Sequence, residues 1–289
     1  MPRGLDHIVH AVRDLDAAAD FYRRMGFTVG NRNRHPWGTH NRIVQMPGFF
    51  IELLTVAEPE KLTGEGLAVQ FGEFNRRFLS EREGFSLLIL ESSDIEADGR
   101  AFEASKIAAS PVLRFEREGT GPAGSKITVG FSLVFAKDTA APDLGFAVCQ
   151  QHNPDAFWNA SLQDHANGVL RVGGAVLVAD NPSDHHVFLS ALAGERDLQS
   201  TSSGIAIATP RGDVQAMTSA AFGDHFGHAA PSLAGGPRLA ALRLQCRDLT
   251  LVDDILTTAQ IPMTKHMGRV VVAPEHAHGA ALLFEAAPD

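Results

Sequence analysis

The chain has few of the features that define disulfide-rich, secreted or membrane proteins. It contains two cysteines, Cys149 and Cys246, in 289 residues, which excludes a disulfide framework, and their spacing does not fit a zinc site. The sequence has no stretch of about 18 apolar residues, the length needed to cross a bilayer. The opening MPRGLDHIVH lacks the apolar core and cleavage site of a secretory signal. We therefore expect a cytoplasmic protein with two buried thiols.

Basic charge is also in short supply. The chain has 25 Lys and Arg residues against 34 Asp and Glu, a formal net charge of −9, which disfavours a phosphate-binding surface. We therefore expect neither nucleic acid nor a membrane as a partner, but a small-molecule substrate, with a homodimer left open. The length predicts about two domains, since domains usually run to roughly 100–200 residues.

Familiar catalytic motifs are missing or out of context. The sequence has neither the GxSxG nucleophile elbow nor the HExxH helix of metalloproteases. Residues 119–124 (GTGPAG) fit GxGxxG, but the strand-like SKITVGFSLVF follows where the dinucleotide motif requires a helix. We interpret this segment as a turn and predict no dinucleotide site.

The first 56 residues read as one β-α-β-β-β module. Residues 5–12 (LDHIVHAV) alternate and are rich in branched residues, as in a strand. Asp14 is a suitable N-cap for the helix that follows, and Gly26 ends that helix. Three further strands are predicted at FTVG (residues 27–30), around NRIVQM, and at FFIELLTV after a Pro-Gly turn.

The same module recurs at the other end of the chain. The tripeptide RDL stands at residues 13–15 and again at 247–249, and in both places a strand precedes it and a helix follows. Glu52 follows the leucine of the first copy by 37 residues, and Glu285 follows that of the second by 36. Both glutamates lie in apolar final strands. This agreement predicts an internal repeat.

Two weaker copies lie between these two. Residues 85–108 begin one, which closes at LGFAVCQ, and residues 170–217 supply the other. The intervening stretch HNPDAFWNASLQDHANG has no regular period and marks a boundary between halves. We predict an α+β fold of four β-α-β-β-β modules, with an N-terminal half at residues 1–151 and a C-terminal half at 165–289.

This organisation resembles the vicinal-oxygen-chelate superfamily, and within it the glyoxalase-like chains of four modules. The resemblance rests on LDHIVHAVRDLDAAADFYRRMGF followed by FFIELL, and it is weaker over residues 238–286. It implies that paired modules form a cupped sheet, which in many members holds a divalent metal ion such as Fe, Mn, Ni, Zn or Co. The ligands characteristically come from a histidine in the first strand of a module and a glutamate or glutamine in the last.

His7 and Glu52 match these two positions. Because side chains alternate along a strand, His7 and His10 must point to opposite faces, and we place His7 in the cup. The resemblance implies the metal ligands His7, Glu52, His165 and Glu285. Glu52 and Glu285 are also the candidate catalytic carboxylates, and the alternative is a cup without metal.

The other modules depart from the pattern. Leu87, Gly173 and Ala241 stand where His7 stands in the first module, and none of them can bind a metal ion. The loop NRNRHPWGTHNR before the third strand is rich in polar and aromatic groups that could line a pocket. The predicted pocket residues are His35, Trp37, Thr39, Asn41, Gln150 and Gln215.

The resemblance leaves three functions open. The first is a divalent-metal-dependent lyase or isomerase that acts on a small molecule with neighbouring oxygens. The second, favoured by the missing strand histidines, is a metal-free protein that binds small molecules, of the resistance or sequestration type. The third is an extradiol-type dioxygenase, which needs a second strand histidine that only a displaced His165 could supply.

Overall fold

A computed structural model describes residues 1–120 and 126–288. Of the GxGxxG segment, residues 121–124 lie outside the described residues. Within the described ranges no helix is both long enough and apolar enough to span a membrane. Helices and strands are mixed along the chain, and the predicted α+β class is confirmed.

The first module forms as the sequence predicts, with one difference. Its elements are β1 (Leu5–Ala11), α1 (Leu15–Arg24), β2 (Asn33–Arg34), β3 (Thr39–Met46) and β4 (Phe49–Val56), and helix α2 (Leu67–Glu81) follows. Asp14 caps α1 by accepting from the backbone amides of Asp16 and Ala17, as expected of an N-cap carboxylate. The expected strand at residues 27–30 is absent, and the short β2 comes a few residues later.

The same order of elements recurs three more times. The second module consists of β5 (Gly84–Glu91), α3 (Ile95–Ala104), β6 (Leu113–Thr120), β7 (Lys126–Ala136) and β8 (Gly145–Gln151), and α4 (Pro154–Phe157) lies in the junction. The third consists of β9 (Val169–Val178), α5 (His186–Ala193), β10 (Leu198–Thr201), β11 (Gly204–Ala208) and β12 (Asp213–Met217), and is followed by α6 (Ser219–Phe226). The fourth consists of β13 (Arg238–Cys246), α7 (Leu249–Thr258), β14 (Thr264–His266), β15 (Arg269–Val272) and β16 (Ala281–Ala286).

The first strands of the modules pair the modules two by two. β1 lies antiparallel to β5, and β9 lies antiparallel to β13. In each module the first strand also runs parallel to the last. A short antiparallel contact between Phe85 of β5 and Leu239 of β13 joins the two pairs into one hydrogen-bonded sheet. The division at residues 151 and 165 into separate domains stays a prediction.

The two faces of the sheet have separate apolar clusters. The largest cluster lies between the sheet and the module helices and includes Ile8, Tyr22 and Leu88. A second cluster, with Val9 and Leu87, covers the inner face of the N-terminal pair of modules. We call the concave inner face of that pair the N-terminal cup. The corresponding face of the other pair is the C-terminal cup.

The C-terminal cup is filled by helix α6. Phe222 and Phe226 of this helix are stacked, with ring centroids 4.3 Å apart and planes 7° from parallel. Both are buried against the strand residues Val176, Ala241 and Leu283. This helix therefore occupies the space where the N-terminal pair has a cavity.

Candidate functional site

The N-terminal cup is an open cavity with mostly aromatic and aliphatic walls. Its cavity volume is about 80 Å³, smaller than the roughly 300–1,000 Å³ of most small-molecule sites. Five phenylalanines from the strands and the junction contribute to its walls: Phe50, Phe115, Phe131, Phe135 and Phe157. The polar side chains of the cavity are concentrated on the first module.

His7 lines this cup, the face on which the family resemblance placed it. Its ring stacks on Phe50 with centroids 4.3 Å apart, and its Nδ1–H donates to Asp6 Oδ2 at 2.6 Å. Asp6 is in turn held by Gln151, whose Nε2 donates to Asp6 Oδ1 at 2.9 Å. In the neutral ring with the proton on Nδ1, the other ring nitrogen, Nε2, is an acceptor. No described residue hydrogen-bonds to it.

His10 lies on the opposite face, among the helices. Its Nε2–H donates to the carbonyl of His278 at 3.0 Å, and its Nδ1 accepts from the hydroxyl of Tyr22 at 2.9 Å. Burial lowers the pKa of His10 to about 3. This histidine is a neutral structural residue.

Glu52 lies beside His7 on the neighbouring strand. In the parallel pairing of β1 and β4, Glu52 is opposite Val9, two residues beyond His7 and on the same face. Glu52 Oε1 accepts from Asn41 Nδ2 at 2.5 Å, and Asn33 Nδ2 donates to the oxygen of the same Asn41 amide at 2.9 Å. The amide is therefore fixed in one orientation. Glu52 is buried, with 8% exposure, and makes no ion pair with any described residue.

Of the predicted loop residues, three line the cup and one supports it from behind. Asn41, His35 and Trp37 line the cavity, and the rings of the last two stack with centroids 4.6 Å apart. Thr39 is fully buried and hydrogen-bonds to His35 Nδ1 through its hydroxyl at 2.8 Å. Trp37 Nε1 is buried without a hydrogen-bond partner in the described chain.

The second module presents an apolar wall opposite this polar group. Leu87 is at the position equivalent to His7, and Ala147 and Cys149 of β8 lie on the same inner face. Burial raises the pKa of the Cys149 thiol well above its usual value, and Asp6 and Glu52 raise it further.

The donor set of the cup therefore does not fit a divalent metal ion. The imidazoles of His7 and His35 and the carboxylate of Glu52 line it, whereas a protein site for these metals normally brings three or four ligands together around one point. No group of three or more His, Cys, Asp or Glu side chains in the described chain is arranged to hold a metal. The four predicted ligands are not brought together.

His165 is one of the two predicted ligands that lie elsewhere. It accepts from the backbone amide of Thr28 at Nδ1 and donates from Nε2 to the carbonyl of Gln45 at 2.8 Å. Its ring also packs edge-on against Phe27. Burial lowers the pKa of His165. Both nitrogens are thus used to fasten the junction to the first module, and this residue does not face the cup.

Glu285 is the other, and it lies in the C-terminal cup. It pairs with Gln245, four residues beyond Ala241, whereas Glu52 pairs with the residue two beyond His7. Glu285 therefore lies two residues further along its strand than Glu52 does. Glu285 Oε1 accepts from Arg243 Nη2 at 2.9 Å, and Asp213 accepts from Nη1 of the same arginine at 2.8 Å. Glu285, a predicted metal ligand, is thus bound to the guanidinium of Arg243.

The two predicted glutamines also lie outside the N-terminal cup. Gln150 caps helix α3, because its Oε1 accepts from the amide of Ile95 and its Nε2 donates to the carbonyl of Ser93. Gln215 lies on β12 and donates to Asp213 at 3.4 Å. Gln151, which follows Gln150 in the sequence, contacts the site through its hydrogen bond to Asp6.

Sequence reasoning missed Asp6 and most of the apolar lining. Asp6 adjoins a strand histidine, which is a signal that a carboxylate could orient the ring. Phe131 and Phe135 alternate along FSLVF of β7, a pattern typical of one face of a strand. Ala68 and Phe71 come from α2, an insertion between modules that the repeat could not reveal.

Comparison with known proteins supports the fold and a family. The sequence model of a family described as glyoxalase-like domain matches residues 5–193. No curated protein sequence matches the chain.

Three solved structures resemble the whole chain at low sequence identity. A hypothetical protein from Staphylococcus aureus has a TM-score of 0.68 and 14% identity, over 99% of this chain and 100% of that one. A xylose isomerase-like TIM barrel/4-hydroxyphenylpyruvate dioxygenase fusion protein has a TM-score of 0.57 and 12% identity, over 100% of this chain and 49% of that one. A mutant of 4-hydroxymandelate synthase from Streptomyces coelicolor has a TM-score of 0.55 and 9% identity, over 100% of this chain and 94% of that one. At these identities the likeness shows the fold alone.

Proposed function

The chain belongs to the glyoxalase-like domain family of the vicinal-oxygen-chelate superfamily, and on that premise we propose that its N-terminal cup binds an aromatic or amphipathic small molecule without a metal ion. The observation that carries this proposal is the composition of the cup. Apolar side chains surround one polar cluster on the first module, which includes His7, His35 and Glu52. Such a site binds through apolar burial and orients its ligand through a few polar contacts.

The polar group would orient the ligand through hydrogen bonds. In the neutral ring His7 Nε2 is an acceptor, because Nδ1 carries the proton and donates it in a hydrogen bond to Asp6. Glu52 keeps its Oε2 for the cup because Asn41 donates to Oε1. The aromatic walls would exclude water from the bound molecule, which strengthens both contacts.

The metal-dependent lyase or isomerase is a second candidate, favoured by His7 and Glu52 facing one cup from adjacent strands. It would need ligands that the apolar wall of Leu87 does not supply. An extradiol-type dioxygenase has less support, because His165 is hydrogen-bonded away from the cup.

Calorimetric titration with naphthylmethanol, an uncharged aromatic probe, tests the proposal. We expect the same affinity before and after dialysis against a chelator. Phe71→Ala, which removes part of the wall on α2, should weaken binding about 5- to 50-fold, the equivalent of roughly 1–2.3 kcal/mol of lost burial. The exposed Leu251 on α7 provides a matched control, and Leu251→Ala should bind like the wild type.

Loss of probe binding on chelation, with recovery on adding a divalent metal, would overturn the metal-free proposal in favour of the second candidate. Elemental analysis of the purified protein gives an independent reading. A stoichiometric metal that disappears in His7→Ala would lead to the same conclusion.

A further inference from the structure

We infer that the N-terminal cup selects an aromatic cation, such as an arylalkylammonium ion, over the matching neutral or anionic compound. This inference rests on the proposed binding function and adds the charge of the ligand to it. The feature behind it is the Glu52 carboxylate, which is buried in the cup wall and forms no ion pair within the part of the chain that the structure describes.

Glu52 lacks a counter-charge among the described residues. Its one hydrogen-bond donor is the neutral amide of Asn41, and none of the described residues that line the cup is Lys or Arg. A buried carboxylate that meets only a neutral donor is poorly compensated for its lost hydration. An incoming ammonium group at Oε2 would supply the missing charge.

The C-terminal cup provides an internal comparison. Glu285 has the same 8% exposure as Glu52, yet it is paired with Arg243 at 2.9 Å and lies 3.8 Å from Arg269. In that half the cation belongs to the chain, and α6 fills the rest of the space. In the N-terminal half both the cation and the filling group are missing from the described residues, so a ligand that replaces them would combine a cation with an aromatic ring.

The surroundings of Glu52 disfavour an anionic ligand. Asp6 is a second buried carboxylate, placed behind His7 and connected to it at 2.6 Å. Burial raises the pKa of the Cys149 thiol in the cup wall, and the charges of Asp6 and Glu52 raise it further. The unpartnered Nε1–H of Trp37 is a single neutral donor and does not offset two carboxylates.

The walls of the cup also suit a cation. Aromatic ring faces attract ammonium groups, most strongly when water is excluded. Phe50, next to His7, and Phe131 on the other module both border the cavity. An aryl group would pack among the phenylalanines, and its ammonium would reach Glu52 Oε2 and His7 Nε2, two groups that accept hydrogen bonds.

Three probes of matched shape test the inference by calorimetry at neutral pH: naphthylmethylammonium, naphthylmethanol and naphthoate. We expect the cation to bind about tenfold or more tightly than the alcohol, as for a charge-assisted hydrogen bond, and naphthoate to bind most weakly. Glu52→Gln should remove the preference for the cation, so that in this variant the cation and the alcohol bind within about threefold of each other. Glu60→Gln removes an exposed charge outside the cup and should leave the preference intact.

The outcomes separate this inference from the function on which it rests. If the alcohol binds as well as the cation, or naphthoate binds best, the inference is overturned and the proposed binding function stands. If none of the three binds, the proposed function fails as well. A preference for the cation that persists in Glu52→Gln would also overturn the inference, because Glu52 would not be its source.

Discussion

Among single side chains, His10 links the stability of the fold to pH. Burial holds its pKa near 3 in the folded chain, whereas an unfolded histidine takes up a proton below a pH of about 6.5. The unfolded state therefore binds more protons across this window, and stability falls as the pH drops through it. The contribution of His10 to stability is fully present above about pH 6.5. Below that pH, roughly 1.4 kcal/mol of it is lost for each pH unit.

Replacing His10 should make the protein less sensitive to acid. Between pH 7 and pH 5 we expect His10→Gln to lose about 2 kcal/mol less unfolding free energy than the wild type, measured by urea denaturation at each pH. His276→Gln removes an exposed histidine and serves as the control. Equal acid sensitivity in the His10 variant and the wild type would contradict the assignment.

Strand alternation explains why some site residues could be predicted and others could not. Alternation put His7 and His10 on opposite faces, and the family resemblance then placed His7 in the cup. Its partner Glu52 occupies the matching position of an adjacent strand. His165 lies in an irregular junction, where no period fixes the direction of a side chain. Its hydrogen bonds to the first module depend on tertiary packing that the sequence does not encode locally.

Among the elements, β13 provides Arg243, which neutralises carboxylates on two other strands. Arg243 lies between Asp213 and Glu285, and burial raises the pKa of Asp213, although the arginine opposes that shift. Arg243→Met would leave both acids without their cation, so we expect the unfolding free energy to fall by about 2–4 kcal/mol. Urea denaturation measures this loss.

The matched control for that change is Arg171→Met. Arg171 is exposed on the neighbouring strand β9 and donates to Gln245 at 2.6 Å, so its removal should cost less than about 1 kcal/mol. Probe binding to the N-terminal cup should be unchanged in both variants. A stable Arg243 variant would mean that the acids can be accommodated without the guanidinium.

The elements that repeat could be predicted, and the inserted ones could not. Aspartates 14 and 248 both cap their helices through backbone amides, so the repeated RDL has a physical meaning at each site. Helices α2 and α6 occur between modules and have no counterpart in the repeat. Yet α2 provides a wall of one cup and α6 fills the other, which decides which cup is open.

At the scale of the whole molecule, Arg3 connects three modules. It is buried, its Nε and Nη2 donate to Asp98 Oδ1 on α3, and its Nη1 donates to the carbonyls of Ala191 and Leu192 on α5. Its guanidinium also lies 5.1 Å from the ring of Phe102. The start of the chain thus binds the second and third modules together.

Loss of this connection should weaken the whole fold. We expect Arg3→Met to lower the unfolding free energy by about 2–4 kcal/mol, because several buried acceptors lose their donor together. Arg100→Met, which removes an exposed arginine of α3, should change it by less than about 0.5 kcal/mol. Denaturant titration compares the two, and similar stabilities would show that Arg3 does not hold the halves together.

Because helix α6 fills the C-terminal cup, only the N-terminal of the two pairs of modules presents a cavity in the described structure. Duplication of a binding module would ordinarily double the number of sites, but Phe222 and Phe226 are part of the interior and cannot leave without loss of packing. The molecule is therefore symmetric in its scaffold and monovalent in its proposed recognition. Residues that line the N-terminal cup can change to suit a ligand, whereas those of the C-terminal cup must keep their packing around α6.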